Sequence, residues 1–100
     1  MKITLVCAGG MSTSILVQTM VSSANKQALK CEIQAVAISR AKQEASDSDV
    51  ILCAPQVKFQ EAMLKEQLPH VTIATISMID YGMMDGESVL KQAVSLVENA

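Results

Sequence analysis

The chain has 100 residues, half of them apolar, with a formal net charge of −2 at neutral pH. That size and apolar content predict one domain over residues 1–100 with one core. Lys and Arg are scattered and the only aromatics are Phe59 and Tyr81, which excludes both the basic footprint and the stacking platforms of a nucleic-acid binder.

No apolar run approaches the roughly 18–20 residues of a membrane span. The N-terminus lacks a basic stretch followed by a long apolar one, so a soluble cytoplasmic protein is expected. Cys7, Cys31 and Cys53 are odd in number and irregular in spacing, and His70 is the only histidine. They make neither a CxxC pair nor a zinc set, so reduced thiols, no metal and no organic cofactor are expected.

Ile3 to Val6 is a continuous apolar run ending at Cys7-Ala8-Gly9-Gly10, read as a buried strand entering a tight turn. A helix is expected from Ser12 to about Leu29, with Leu16, Met20, Ala24 and Ala28 in one stripe beside Val17 and Val21. Ser12, Thr13 and Ser14 supply hydroxyls that favour its start. A second strand is predicted from Glu32 to Ile38, with Ser39 capping a short helix through Ala45. Asp49 to Cys53 reads as the third strand, ended by Pro55. A helix follows from Gln56, carries Phe59, Met63 and Leu64 on one side, and stops before Pro69. Val71 to Ile76 is the fourth strand. After a loop around Tyr81-Gly82, Asp85 or Gly86 opens a last helix with Val89, Leu90, Ala93, Val94 and Val97 facing inward.

Short apolar strands alternating with helices predict an α/β fold, a four-stranded parallel sheet with helices on both faces. Right-handed crossovers favour an open, doubly wound sheet of order 2-1-3-4. In such sheets ligands bind beyond the carboxyl ends of the strands, where strand order reverses, here between strands one and three. Cys7 ends strand one. The turn from Ala8 through Gly9, Gly10, Met11, Ser12 and Thr13 to Ser14 then leads into a helix N-terminus. Two glycines let successive N–H groups converge on an anion, and the helix start adds unpaired donors and partial positive charge. An exposed sulfur ringed by amide hydrogens is therefore expected, with the thiolate favoured.

The segment from Cys7 to Ser14, followed by Ile15-Leu16-Val17, closely resembles the phosphocysteine loop of the lactose/cellobiose family of phosphotransferase-system IIB proteins. Ala54-Pro55-Gln56, Tyr81-Gly82 and Asp85-Gly86 extend the likeness along the chain. The resemblance implies a phosphoryl carrier and no cofactor. A phosphohistidine on a IIA partner would donate to Cys7, which would donate to a β-linked disaccharide (cellobiose, chitobiose or lactose) held by the membrane IIC permease. Ala8 to Ser14 would bind the phosphate. Pro55, Gln56, Tyr81 and Gly82 are expected at the docking rim, with Gln56 and Tyr81 as donors near the phosphoryl group. A transient docking face and a monomer are expected, at the inner side of the membrane through IIC.

Other chemistries compete. Low-molecular-weight tyrosine phosphatases resemble this layout, but need an arginine six residues after the cysteine; here Thr13 stands there, and the nearest arginine is Arg40. Asp80, in the loop after strand four, is either a general acid or a polar cap. Cys53, ending a neighbouring strand, could approach Cys7 in a thiol switch, or be a packing residue. His70 is expected on the opposite, amino edge, and Lys58 as a solvated charge. An inert anion-binding module is the remaining class.

Overall fold

The protein is described by a computed structural model over residues 1–9 and 13–99. Four parallel strands, β1 (Lys2–Cys7), β2 (Glu32–Ala37), β3 (Val50–Cys53) and β4 (Thr72–Thr75), form one sheet of order β2-β1-β3-β4, as expected. The helices are α1 (Ser14–Lys26), α2 (Ala41–Glu44), α3 (Glu61–Gln67), α4 (Met78–Gly82) and α5 (Gly86–Glu98). Among the described residues no helix is long and apolar enough to cross a membrane.

β1 and β3 are central and read as unbroken apolar runs because both faces are covered: Ile3, Leu5, Val6, Ile51 and Leu52 are fully buried. The two faces can be told apart. Thr4 Oγ1 lies 2.6 Å from Ser48 Oγ and accepts from Gln34 Nε2, which also donates to the carbonyl of Glu44 in α2. Thr4 and Val6 therefore face α2, and the alternation of a strand turns Ile3, Leu5 and Cys7 to the opposite face, the side of α1 and α5.

Several boundaries differ from the sequence reading. α1 ends at Lys26 rather than near Leu29, because Ala28 turns to φ 56° and closes the helix with bonds from Ala28 N to Asn25 O and from Leu29 N to Ala24 O. Ala28 and Val21 are thus exposed, outside the buried stripe of Leu16, Met20 and Ala24. Ser39 does not cap a helix; it lies inside a 3-10 helix, Ile38–Arg40, that leads into α2. The expected helix at Gln56 is a 3-10 helix, Pro55–Gln60, kinked at Val57, before α3 begins. The kink turns Phe59 outward, 78 % exposed, and leaves Met63 exposed too, so only Leu64 of the expected trio is core. Finally, the loop around Tyr81-Gly82 is a helix, α4, which Ser77 caps by accepting a bond from Asp80 N at 3.1 Å.

Candidate functional site

The sheet's carboxyl edge gathers most of the predicted site. The ladder runs one residue past the strands, through Ala54 N to Val6 O at 2.8 Å and Ile76 N to Cys53 O at 2.9 Å. The chain segments after β1, β3 and β4 consequently leave from one edge: Ala8 and Gly9, Pro55 and Gln56, and the approach to α4. Ala8, Gly9, Gln56 and Gly82 are exposed, and Pro55 is half-buried. A Cβ added at Gly9 would meet nothing within 4 Å, so space does not require glycine there. Gly10, Met11 and Ser12 lie outside the described residues, and the expected convergence of their amides with them.

Cys7 differs from expectation. It is only 1 % exposed, because the last residue of a central strand, paired with Ala37 on β2, points into the face covered by α1 and α5. Its Sγ lies 3.8 Å from Thr13 Oγ1, a contact between two buried groups. Thr13 is the residue before α1, but its hydroxyl does not cap the helix. Its placement against the sulfur was not legible in the sequence, where it read as one of three equivalent hydroxyls. Ser14 opens α1 and is exposed.

Cys53 cannot meet Cys7 as a thiol switch would need. It pairs with Val6, not Cys7, so its side chain lies on the other face of the sheet. Burial, and next to it the Glu61 carboxylate, push its pKa from 9.0 to about 11. Glu61 itself is held below its ordinary value, first by the hydrogen bond from Thr75 Oγ1 at 2.6 Å and then by Lys65. No disulfide links the three cysteines.

Asp80 is tied into the structure: Oδ2 accepts from Ser88 Oγ at 3.0 Å and its carbonyl accepts from Asp85 N at 3.0 Å, joining α4 to the start of α5. That supports a structural polar role over a general acid, the caps themselves being Ser77 for α4 and Asp85 for α5. Arg40 pairs with Glu44 on the surface. His70 donates from Nε2 to the carbonyl of Ser46 at 2.8 Å, before β4 and thus at the amino edge, away from Cys7. Tyr81 is not at an open rim: it is 7 % exposed, the buried residue of α4. What α4 does present to solvent is Met78, Ile79 and Met83 just beyond it, each more than 70 % exposed. Sequence reasoning missed these, although Ser77-Met78-Ile79-Asp80 has the Ser-x-x-acid pattern that starts helices.

An open parallel α/β protein with a thiol at the switch point of its sheet, beneath a turn into a helix, is the class these features define. The sequence places it more narrowly. Residues 2–92 match the sequence model of the phosphotransferase system (PTS) lactose/cellobiose-specific IIB subunit, and the chain belongs to that family. It is 37 % identical over 100 residues to the PTS oligo-beta-mannoside-specific EIIB component of Bacillus subtilis (strain 168), covering 98 % of this chain and 97 % of that one. It is 38 % identical over 102 residues to the PTS cellobiose-specific EIIB component of Lactococcus lactis subsp. lactis (strain IL1403), covering 95 % and 94 %. The solution structure of a cellobiose-specific phosphotransferase IIB component from Borrelia burgdorferi superposes with a TM-score of 0.82 at 40 % identity, over 99 % of this chain and 93 % of that one. A lactose-specific IIB domain from Streptococcus pneumoniae shares the fold with a TM-score of 0.85 at 18 % identity, over 95 % of each chain.

Proposed function

We propose that this chain, acting as one domain, is a phosphoryl carrier: Cys7 accepts phosphate from a phosphohistidine on a IIA protein and passes it to a sugar bound by a IIC permease. In the first step the Cys7 thiolate attacks phosphorus, an S–P bond forms, and the P–N bond breaks with its electron pair returning to the histidine. In the second step a sugar hydroxyl attacks the same phosphorus and releases its proton, the S–P bond breaks with its electron pair returning to sulfur, and the thiolate is regenerated. The observation that carries this reading is the position of Cys7 in a chain of the IIB family: at the carboxyl end of a central strand, with Thr13 Oγ1 3.8 Å from its sulfur.

The residues Ala8 to Ser14 would hold the phosphoryl group, with Pro55, Gln56 and Gly82 beside them at the docking edge. Each hydrogen bond to the charged group is worth roughly 1.5–3 kcal/mol, enough for a few to make transfer onto sulfur nearly balanced. Hydrolysis is disfavoured by Thr13, which stands fully buried where a phosphatase would need its guanidinium. Because Cys7 is buried, transfer requires an opening step at this edge as a partner docks. A β-linked disaccharide of cellobiose, chitobiose or lactose type fits the relative named for cellobiose, while relatives of equal similarity, 37–38 % identical, are named for oligo-β-mannoside and for galactose, a monosaccharide. Such even similarity across three sugars supports a permease, not this chain, as the element that selects among them. The carrier would work as a monomer at the cytoplasmic side of the membrane.

Incubation with a phosphorylated IIA protein, followed by intact-mass measurement, tests the assignment. Wild type and Cys53→Ser gain one phosphoryl group, and Cys7→Ser gains none. Equal loss in both variants would instead favour coupled thiols, and rapid release of inorganic phosphate without sugar would favour a hydrolase.

A further inference from the structure

Between the end of β4 and the start of α5 the chain crosses the carboxyl edge of the sheet. At one end Ile76 N is bonded to the carbonyl of Cys53; at the other the Met84 carbonyl accepts from Thr19 Oγ1 of α1 at 3.2 Å, and Gly86 sits against the backbone of Thr19 and Met20. The bridge therefore runs from the edge strand to α1, on the face to which Cys7 points. Tyr81 lies midway along it, buried in the core that also holds Cys7 and Leu16. The residue is 7 % exposed, yet its hydroxyl oxygen is buried and has no hydrogen-bond partner among the described residues.

An orphaned buried hydroxyl is costly, and native structures keep few of them. A phenylalanine would fill the same volume without that cost. The hydroxyl needs a reason, and a tyrosine O–H donates well to an anionic oxygen. We infer that Tyr81 is a phosphoryl-binding residue, its hydroxyl donating to an oxygen of the group on Cys7 and unpartnered while the sulfur is unmodified. The inference rests on the carrier reading and sharpens it: the same hydroxyl that weakens the resting fold stabilises the phosphorylated one. No proton is transferred; the hydrogen bond lowers the free energy of the S–P adduct relative to the donor phosphohistidine.

Tyr81→Phe separates this role from packing, because the two make opposite predictions. Thermal unfolding of the unphosphorylated chain compares variant with wild type, and intact mass gives the phosphocysteine fraction at equilibrium with one phosphorylated IIA protein. The expected result is a melting temperature unchanged or raised, together with an exchange equilibrium shifted away from Cys7 by about tenfold, the low end for one hydrogen bond to a charged group. A lowered melting temperature overturns the inference, since the hydroxyl then has a structural partner. An unchanged equilibrium overturns it as well. If wild type itself takes up no phosphate, the carrier reading fails and takes this inference with it, an outcome distinct from wild type and variant being phosphorylated alike.

Discussion

A thiol becomes a nucleophile only where its surroundings favour the thiolate, and Cys53 has the opposite surroundings. It is fully buried on the α3 side of the sheet, near the Glu61 carboxylate, and its pKa rises from 9.0 to about 11. Thr75, whose hydroxyl donates to Glu61 at 2.6 Å, and Lys65 pull the pKa the other way, but by less than burial and Glu61 raise it. At pH 8 only about one Cys53 in a thousand would be ionised, before steric protection is counted. In the folded protein iodoacetamide should label half-buried Cys31 well before Cys53, with Cys53 labelling rising only toward pH 11 or on unfolding; peptide mass mapping across pH checks this. Labelling of Cys53 first at pH 8 would contradict the burial argument. Cys7 and Cys53 look alike in the sequence, each ending an apolar strand, and only the pairing of Cys53 with Val6 puts them on opposite faces.

At the scale of elements, α4 owes its position to the contact between α5 and α1. Gly86, the first residue of α5, packs so closely on Thr19 and Met20 that an added Cβ would collide with backbone. Backbone cannot rotate away as a side-chain tip can. Gly86→Ala should therefore destabilise the fold by about 2 kcal/mol or more, read as a lower urea midpoint. Ser88 anchors the same junction, giving its N–H to Asp85 Oδ1 and its hydroxyl to Asp80. Asp85 was legible as a cap because short acidic side chains favour that position. The five-residue α4 was not: a helix so short leaves no periodic apolar stripe, and its exposed Met78 and Ile79 break the expected pattern.

For the molecule as a whole, the exposed large apolar side chains are unevenly spread. Phe59 lies on the segment after β3; Met78, Ile79 and Met83 lie on or beside α4 after β4; Ile15 lies in the first turn of α1 after β1. These five, the most exposed of the large apolar side chains, follow the carboxyl ends of strands and flank the edge where Cys7 lies buried, whereas Met1, Val21, Leu29 and Met63, each about 40 % exposed, lie elsewhere. Contiguous exposed apolar surface marks protein contact sites, and methionine adapts to more than one partner. Replacing Phe59 and Met83 together by serine should leave the melting temperature nearly unchanged, since both are more than 70 % exposed. Phosphoryl uptake from a IIA protein should slow by about tenfold at subsaturating donor, as for loss of an interface hot spot. A normal uptake rate would place the docking face elsewhere.

Strand order, parallel pairing and the place of Cys7 were determined by the chain itself, because apolar runs alternating with helices admit few right-handed arrangements and the glycine pair at positions 9 and 10 of the sequence marks where the first run stops. Tertiary structure alone decided which way those residues look. Periodicity distinguishes inside from outside on one element, but not what lies over it. Thus the sulfur of Cys7 is covered instead of open, Thr13 touches it instead of capping α1, Phe59 turns outward at the Val57 kink, and Tyr81 buries a hydroxyl that local sequence had placed at the rim. Each outcome depends on how neighbouring segments pack in space, and burial is a property of that neighbourhood.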